Sequence, residues 1–112
     1  MSAPIAFDVS TVDGTTVVRV REGIFTDNRA PLLTALLGLA DTPRARIVID
    51  LSAVPLCDSA ALNMLVQVHQ RAAAGGSLRL TNPQPMVRRV LHVTNLNRLI
   101  PKNSDTDDDG EC

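Results

Sequence analysis

The stretch that decides the fold runs from residue 47 to residue 65 and reads IVIDLSAVPLCDSAALNML. Its first five residues form a nearly continuous apolar run, which predicts a short central strand covered on both faces. Residues 58–74 then show a helical pattern, which Asp58 can cap at its start and Gly75-Gly76 can end. A buried strand that leads into a capped helix is typical of α/β proteins.

Upstream of this stretch, two β-branched segments at residues 7–11 and 15–21 flank Val12-Asp13-Gly14. An Asp-Gly pair between two such segments is a strong signal for a hairpin of antiparallel strands. From residue 27 the spacing becomes helical, with Thr26 or Asp27 as the expected cap. The expected apolar stripe of this helix is Leu33, Leu36, Leu37 and Ala40.

Downstream, residues 77–81 predict a strand and residues 85–94 a third helix, whose expected core side is Val87, Val90 and Leu91. The order β-β-α-β-α-β-α therefore predicts an α/β protein with a mixed sheet of about four strands and helices packed on it. Residues 1–102 form the expected single domain. Residues 103–112 are expected to be a flexible acidic tail, because they contain five acidic residues and hardly any apolar ones.

The predicted helix at residues 58–74 has two contrasting sides. Its expected packing side contains Leu62, Leu65, Val66, His69 and Ala73. Its expected exposed side contains Ala60, Asn63, Gln67 and Arg71. Met64 and Val68 border the exposed side, and for both a place in the core is favoured over a role as apolar anchors for a partner.

The composition argues against several classes of protein. The net charge is −1 and the chain has no Trp or Tyr, so neither a basic surface nor a stacking platform for nucleic acid is expected. The N-terminus lacks the pattern of a secretory signal, and no run approaches the roughly 20 apolar residues of a membrane span. We therefore expect a cytoplasmic protein that binds no nucleic acid and does not insert into membranes.

Few residues could support catalysis, and neither a metal site nor a cofactor is expected. His69 and His92 are the only histidines, and His69 is best interpreted as a core residue with one satisfied hydrogen bond. Cys57 lies at a strand-to-helix junction, where helix amides can activate a thiol, so a small cysteine enzyme is one hypothesis. No supporting residue accompanies Cys57, and packing in the core is favoured. The sequence thus predicts a protein that is not an enzyme.

Residues 47–65 resemble the signature of the STAS family, the domains of anti-sigma factor antagonists and sulfate transporters. The shared features are a buried strand, an Asp-Leu-Ser turn, and Asp58-Ser59 at the opening of a helix. Weaker similarity in Gly75-Gly76, Asn82-Pro83 and residues 87–91 extends the resemblance over most of residues 7–100. It implies the STAS fold and a regulator of bacterial transcription that works by binding other proteins.

By this resemblance, Ser59 corresponds to the serine that an anti-sigma factor, itself a serine kinase, phosphorylates. The unphosphorylated protein would bind the anti-sigma factor and free a sigma factor, and a phosphatase would reset the phosphorylated form. The expected partner contacts are Asp58, Ser59, Ala60, Asn63 and Gln67. Arg88 and Arg89 have two interpretations: they contact the partner at the rim of the interface, or they are ordinary solvated charges.

Two alternatives accompany this interpretation. Asp58-Ser59 is also the pattern of ordinary helix capping, which favours these residue types in any protein. Ala60 and Ala61 stand where the family usually has Ser or Thr followed by Gly, and Asn63 stands where the family often has a second Gly. These departures favour a STAS scaffold that is never phosphorylated and belongs to a transporter ATPase or a sensory complex.

Overall fold

The structure is a computed structural model that describes residues 5–73 and 75–100. Its elements are β1 (Phe7–Val12), β2 (Thr15–Val20), α1 (Ala30–Ala40), β3 (Arg46–Asp50), α2 (Ser59–Ala72), β4 (Ser77–Thr81), α3 (Pro85–Val93) and a final 3-10 helix (Leu96–Leu99). The predicted order of strands and helices is confirmed. The expected acidic tail and Cys112 lie outside the described residues.

The four strands form one mixed sheet in the order β1-β2-β3-β4. β1 and β2 are antiparallel, whereas β3 is parallel to both β2 and β4. The predicted hairpin is present: Asp13 and Gly14 have φ of 51° and 80° and join Val12 to Thr15. Positive φ at both central residues matches the two-residue turns whose twist suits a hairpin, which is why Asp-Gly is favoured there.

Within the part of the chain that the structure describes, the helices cover only one face of the sheet. Val18, Ile49 and Leu80 occupy paired positions on β2, β3 and β4, and all three are buried in the core. On the opposite face, Val48 is half-buried and its β4 partner Arg79 is exposed. The prediction that β3 is covered on both faces was therefore wrong. The apolar run misled because Val48, on the uncovered face, is as apolar as its buried neighbours.

Helix α2 is the central helix, and it packs against both α1 and β4. Its buried residues are Ala61, Leu62, Met64, Leu65, Val68 and Ala72. The predicted packing side was right for Leu62 and Leu65 but wrong for Ala73, which is exposed, and it left out Ala61 and Ala72, which are buried. Two neighbouring layers bury a wider arc of a helix than a single stripe would predict.

Helix α1 begins three residues later than predicted, at Ala30, and its N-cap Arg29 makes no capping hydrogen bond through its side chain. The prediction that Thr26 or Asp27 caps α1 was wrong, because residues 26–28 form a turn before the helix. The stripe of α1 was also partly misassigned. Its buried residues are Leu32, Leu36 and Ala40, whereas Leu33 and Leu37 are half-buried.

The end of α2 depends on a close approach between two backbone segments. The amide of Gly76 donates to Ala72 O over 2.8 Å, and Ser77 N donates to Ala45 O over 2.7 Å. A Cβ atom on Gly76 would overlap the backbone of Ala45. Glycine is therefore required here by space, and not only to end the helix.

Candidate functional site

Asp58 organises the start of α2. Its backbone is extended, with φ −102° and ψ −175°, and its Oδ1 accepts a hydrogen bond from Ala61 N over 3.1 Å. The predicted cap of α2 is therefore confirmed. Asp58 Oδ2 also accepts from Thr26 N at 3.2 Å and from Thr26 Oγ1 at 3.3 Å. One carboxylate thus joins α2 to the loop that precedes α1.

The same carboxylate is held in its charged form. Partial burial acts to raise the pKa of Asp58, but hydrogen bonds from Ala61, Thr26 and Ala60 outweigh it and lower the pKa below its usual value. Hydrogen bonds that a carboxylate accepts stabilise the ionised state. Asp58 is therefore a fixed negative charge next to Ser59 at neutral pH.

Backbone bonds reinforce the junction between the loop and α2. Ile24 pairs with Cys57 in a short parallel bridge, with Ile24 N donating to Leu56 O and Asp58 N donating to Ile24 O, each over 3.2 Å. Cys57 is buried, as predicted. Burial, with a contribution from the charge of Asp58, raises the pKa of the Cys57 thiol. This is the opposite of the activation that a nucleophilic cysteine needs.

Ser59 is the first residue of α2, and its side chain is exposed. The first turn of a helix presents backbone N–H groups that have no partner within the helix. An oxygen-rich group attached at this position would meet those amides and the positive end of the helix dipole. The position is thus chemically suited to carrying a phosphate and open to an enzyme that would add one.

The other residues predicted to contact a partner lie on the same helix. Asn63 and Gln67 are exposed, Ala60 is half-buried and Asp58 is half-buried at the N-cap. Asn63 and Gln67 share a helix face because they are four residues apart. Together with Ser59 they define what we call the α2 surface: Asp58, Ser59, Ala60, Asn63 and Gln67.

Three residues near this surface point inward. Ala61 is fully buried, so its methyl group packs in the core and does not face a partner. Met64 and Val68 are also fully buried, which confirms their predicted place in the core. The α2 surface is therefore polar along the helix itself.

Sequence reasoning missed two apolar side chains that the fold brings to the start of α2. Phe25 and Leu56 are 36% and 43% exposed, and they flank the bridge between Ile24 and Cys57. The ring of Phe25 lies over Gly23, where a Cβ atom would come within 2.5 Å of it. Exposed large apolar side chains beside a polar surface are typical of interface anchors. No local periodicity marks either residue.

The remaining candidates lie elsewhere. His69, in the last turn of α2, is half-buried, and its Nδ1 is buried without a hydrogen-bond partner among the described residues. The predicted satisfied hydrogen bond of His69 is therefore absent at this atom. Arg88 and Arg89 are on α3, where Arg88 is half-buried and Arg89 is exposed.

Within residues 5–73 and 75–100, no three His, Cys, Asp or Glu side chains lie close enough together to hold a metal ion. No helix in these ranges combines the length and the apolar content needed to cross a membrane.

The sequence matches the profile of the STAS domain over residues 6–109. An anti-sigma factor antagonist from Mycobacterium paratuberculosis is 34% identical, with a TM-score of 0.66, and the match covers 90% of this chain and 88% of that one. A candidate anti-sigma factor antagonist from Thermotoga maritima is 25% identical, with a TM-score of 0.77 and coverage of 84% and 82%.

A third solved structure shares the fold at lower identity. The Bacillus cell fate determinant SpoIIAA in its phosphorylated form is 19% identical, with a TM-score of 0.67, and the match covers 86% of this chain and 89% of that one. A search of curated proteins found no match to this sequence.

Proposed function

Because the chain belongs to the STAS domain family, we propose that it is an anti-sigma factor antagonist that phosphorylation of Ser59 switches off. In its unphosphorylated form it binds an anti-sigma factor, itself a serine kinase, and thereby frees a sigma factor. The relatives from M. paratuberculosis and T. maritima, an anti-sigma factor antagonist and a candidate one, support this function. Both align over more than four-fifths of this chain.

The observation that carries the proposal is the accessibility of Ser59 beside a fixed carboxylate at the start of α2. A kinase must bring the γ-phosphorus of ATP to the serine hydroxyl. The bond from Ser59 Oγ to phosphorus forms, the bond to the ADP oxygen breaks, and the hydroxyl proton passes to a base of the kinase. An exposed hydroxyl in the first helical turn meets this requirement without any unfolding of the domain.

The switch works through charge. Phosphate adds about −1.5 to −2 charges at neutral pH, in the middle of the α2 surface and next to Asp58. A partner surface that fits a neutral hydroxyl would then have to bury a solvated dianion or leave a gap. Such mismatched charges cost a few kcal/mol, and about 1.4 kcal/mol already corresponds to a tenfold loss of affinity.

Buried Ala61 and exposed Asn63 also bear on partner binding. Ala61 stands where the family usually has a small glycine, but its methyl group is in the core, so it leaves the partner's approach unchanged. Asn63 offers one amide group to the partner from the next turn of α2. Phe25 and Leu56 supply apolar area beside these polar groups, as the centre of an interface requires.

The first experiment identifies the partner. Wild-type protein and the Ser59→Asp variant serve as baits in parallel affinity purifications from the source cell. We expect a serine kinase of the anti-sigma type on the wild-type bait and at least tenfold less of it on the variant. Ser59→Ala is the matched control and should retain the partner, because it adds no charge.

The second experiment tests the modification itself. The purified partner kinase and ATP are incubated with the protein, and phosphate is mapped by mass spectrometry. We expect one phosphate on Ser59 and none on the Ser59→Ala variant. If Ser59 stays unlabelled, or if both forms bind equally well, the switch is refuted and the protein acts as a scaffold that is never phosphorylated.

A further inference from the structure

Helices α1 and α2 run side by side in the same direction. At their C-terminal ends, Arg71 Nη1 donates to Asp41 Oδ1 over 2.8 Å, which joins residues 30 positions apart. In the turn that precedes α1, Thr26 bonds to Asp58 at the N-cap of α2, which joins residues 32 positions apart. The spacing between facing residues is therefore similar at the C-terminal ends of the two helices and in the turn just before α1.

This spacing places Arg29 at the level of Ser59. A separation of 30 to 32 positions pairs residue 29 with residues 59–61. Arg29 is the N-cap of α1 and has helical backbone angles, with φ −77° and ψ −18°. It precedes the buried residues Leu32 and Leu36 by three and seven positions, so it lies on the face of α1 that packs inward.

The side chain of Arg29 is held by packing but has unused hydrogen-bonding capacity. Arg29 is half-buried, and its Nε is buried without a partner among the described residues. A guanidinium normally forms hydrogen bonds when it is removed from water, because leaving its N–H groups unsatisfied is costly. Phosphate oxygens are the acceptors that a guanidinium binds best, often two at a time.

We propose that Arg29 receives the phosphate of phosphorylated Ser59 within the same molecule. This inference rests on the proposed function for its biological use, but not for its physical test. The guanidinium would pair with the phosphate across the gap between α1 and α2, whose axes as packed helices lie about 8–10 Å apart. The pair would hold the dianion in one place on the α2 surface, where it blocks docking, and would remove Arg29 from any contact with the partner.

The test needs no kinase, because phosphoserine can be inserted at position 59 during translation by suppression of an amber codon. The phosphate is titrated by phosphorus NMR through its second ionisation, near pH 6 for a free phosphoserine. The charged side chains at these two helix starts are Arg29, Asp58 and Asp27. The two carboxylates are present in every variant, so a difference between variants reports the arginine.

A nearby positive charge favours the dianion and lowers the pH of the titration midpoint. In Arg29→Gln we therefore expect the midpoint to rise by roughly 0.5 to 1 pH unit, the size of the interaction between two unit charges about 4 Å apart when water screens them. The midpoint of Arg29→Lys should stay close to the wild-type value, because lysine keeps the positive charge. Arg46→Gln is the matched control: Arg46 is exposed at the first position of β3, near the C-terminal end of α2 and away from Ser59 at its start.

Equal midpoints in Arg29→Gln and Arg46→Gln would overturn the proposal, provided that circular dichroism shows both variants to be folded. The two proposals fail separately. If the kinase leaves Ser59 unlabelled while the midpoint still depends on Arg29, the contact is real and the switch is not. If the kinase labels Ser59 and the midpoint does not depend on Arg29, the switch operates without a contact between the phosphate and Arg29.

Discussion

Replacing Asp58 by alanine should destabilise the domain by about 1.5–2 kcal/mol. The lost N-cap bond to Ala61 accounts for about 1 kcal/mol. The two bonds from Thr26 are exposed, so together they contribute about 0.5–1 kcal/mol. For a domain of this size, the expected loss corresponds to a fall in the melting temperature of about 6–8 °C.

Two companion variants separate the contribution of the cap bond from those of the Thr26 bonds and of an ordinary exposed ion pair. Asp58→Asn keeps one oxygen for Ala61 N but loses an acceptor for Thr26 and the charge, so we expect a loss of only about 0.5 kcal/mol. Asp41→Ala removes an exposed ion pair to Arg71 at the other end of the helices and should cost no more than about 0.5 kcal/mol. Urea unfolding followed by circular dichroism measures all three. If Asp58→Ala costs no more than Asp41→Ala, the carboxylate does not join the loop to α2.

The pH dependence provides an independent check on Asp58. Partial burial opposes ionisation, but the bonds from Ala61, Thr26 and Ala60 keep the pKa of the folded carboxyl below its usual value. Asp58 therefore contributes stability above the pKa of an unfolded aspartate, about 3.9, and this contribution is lost as the pH falls through the lower folded value. The difference in stability between wild type and Asp58→Asn should be constant near neutral pH and shrink below about pH 4. A difference that grows on acidification would refute the assignment.

Three further predictions concern the core. Gly76→Ala should cost about 1–3 kcal/mol in urea unfolding, because the new methyl group overlaps the backbone of Ala45; a neutral substitution would show that the two segments are not in contact. Met64→Ala should cost about 2–5 kcal/mol, because its fully buried side chain would leave a cavity, and a loss below 1 kcal/mol would place Met64 at the surface after all. Cys57 should react slowly with a thiol reagent at neutral pH in a Cys112→Ser background and rapidly in denaturant, since its thiol is buried and its pKa is raised; rapid labelling of the folded protein would restore the hypothesis of a cysteine enzyme.

Much of the fold could be predicted from local signals in the sequence. The Asp13-Gly14 turn, the apolar strand at β3 and the cap at Asp58 each depend on neighbours within a few residues. The same local signals place Ser59 in the first turn of α2, directly after a capping aspartate, whereas its selection as a phosphorylation site depends on the resemblance to the STAS family. These features are properties of short segments and need no knowledge of what packs against them.

The sequence by itself determined the order of the elements, the start of α2 and the serine placed there. The tertiary structure alone decided which arc of α2 is buried, that Thr26 bonds to Asp58 and does not cap α1, and that Arg71 of α2 pairs with Asp41 at the end of α1. The physical reason is distance along the chain. Contacts between side chains about 30 residues apart set how α1 and α2 are aligned along their axes. No periodicity within either segment encodes which residues face each other.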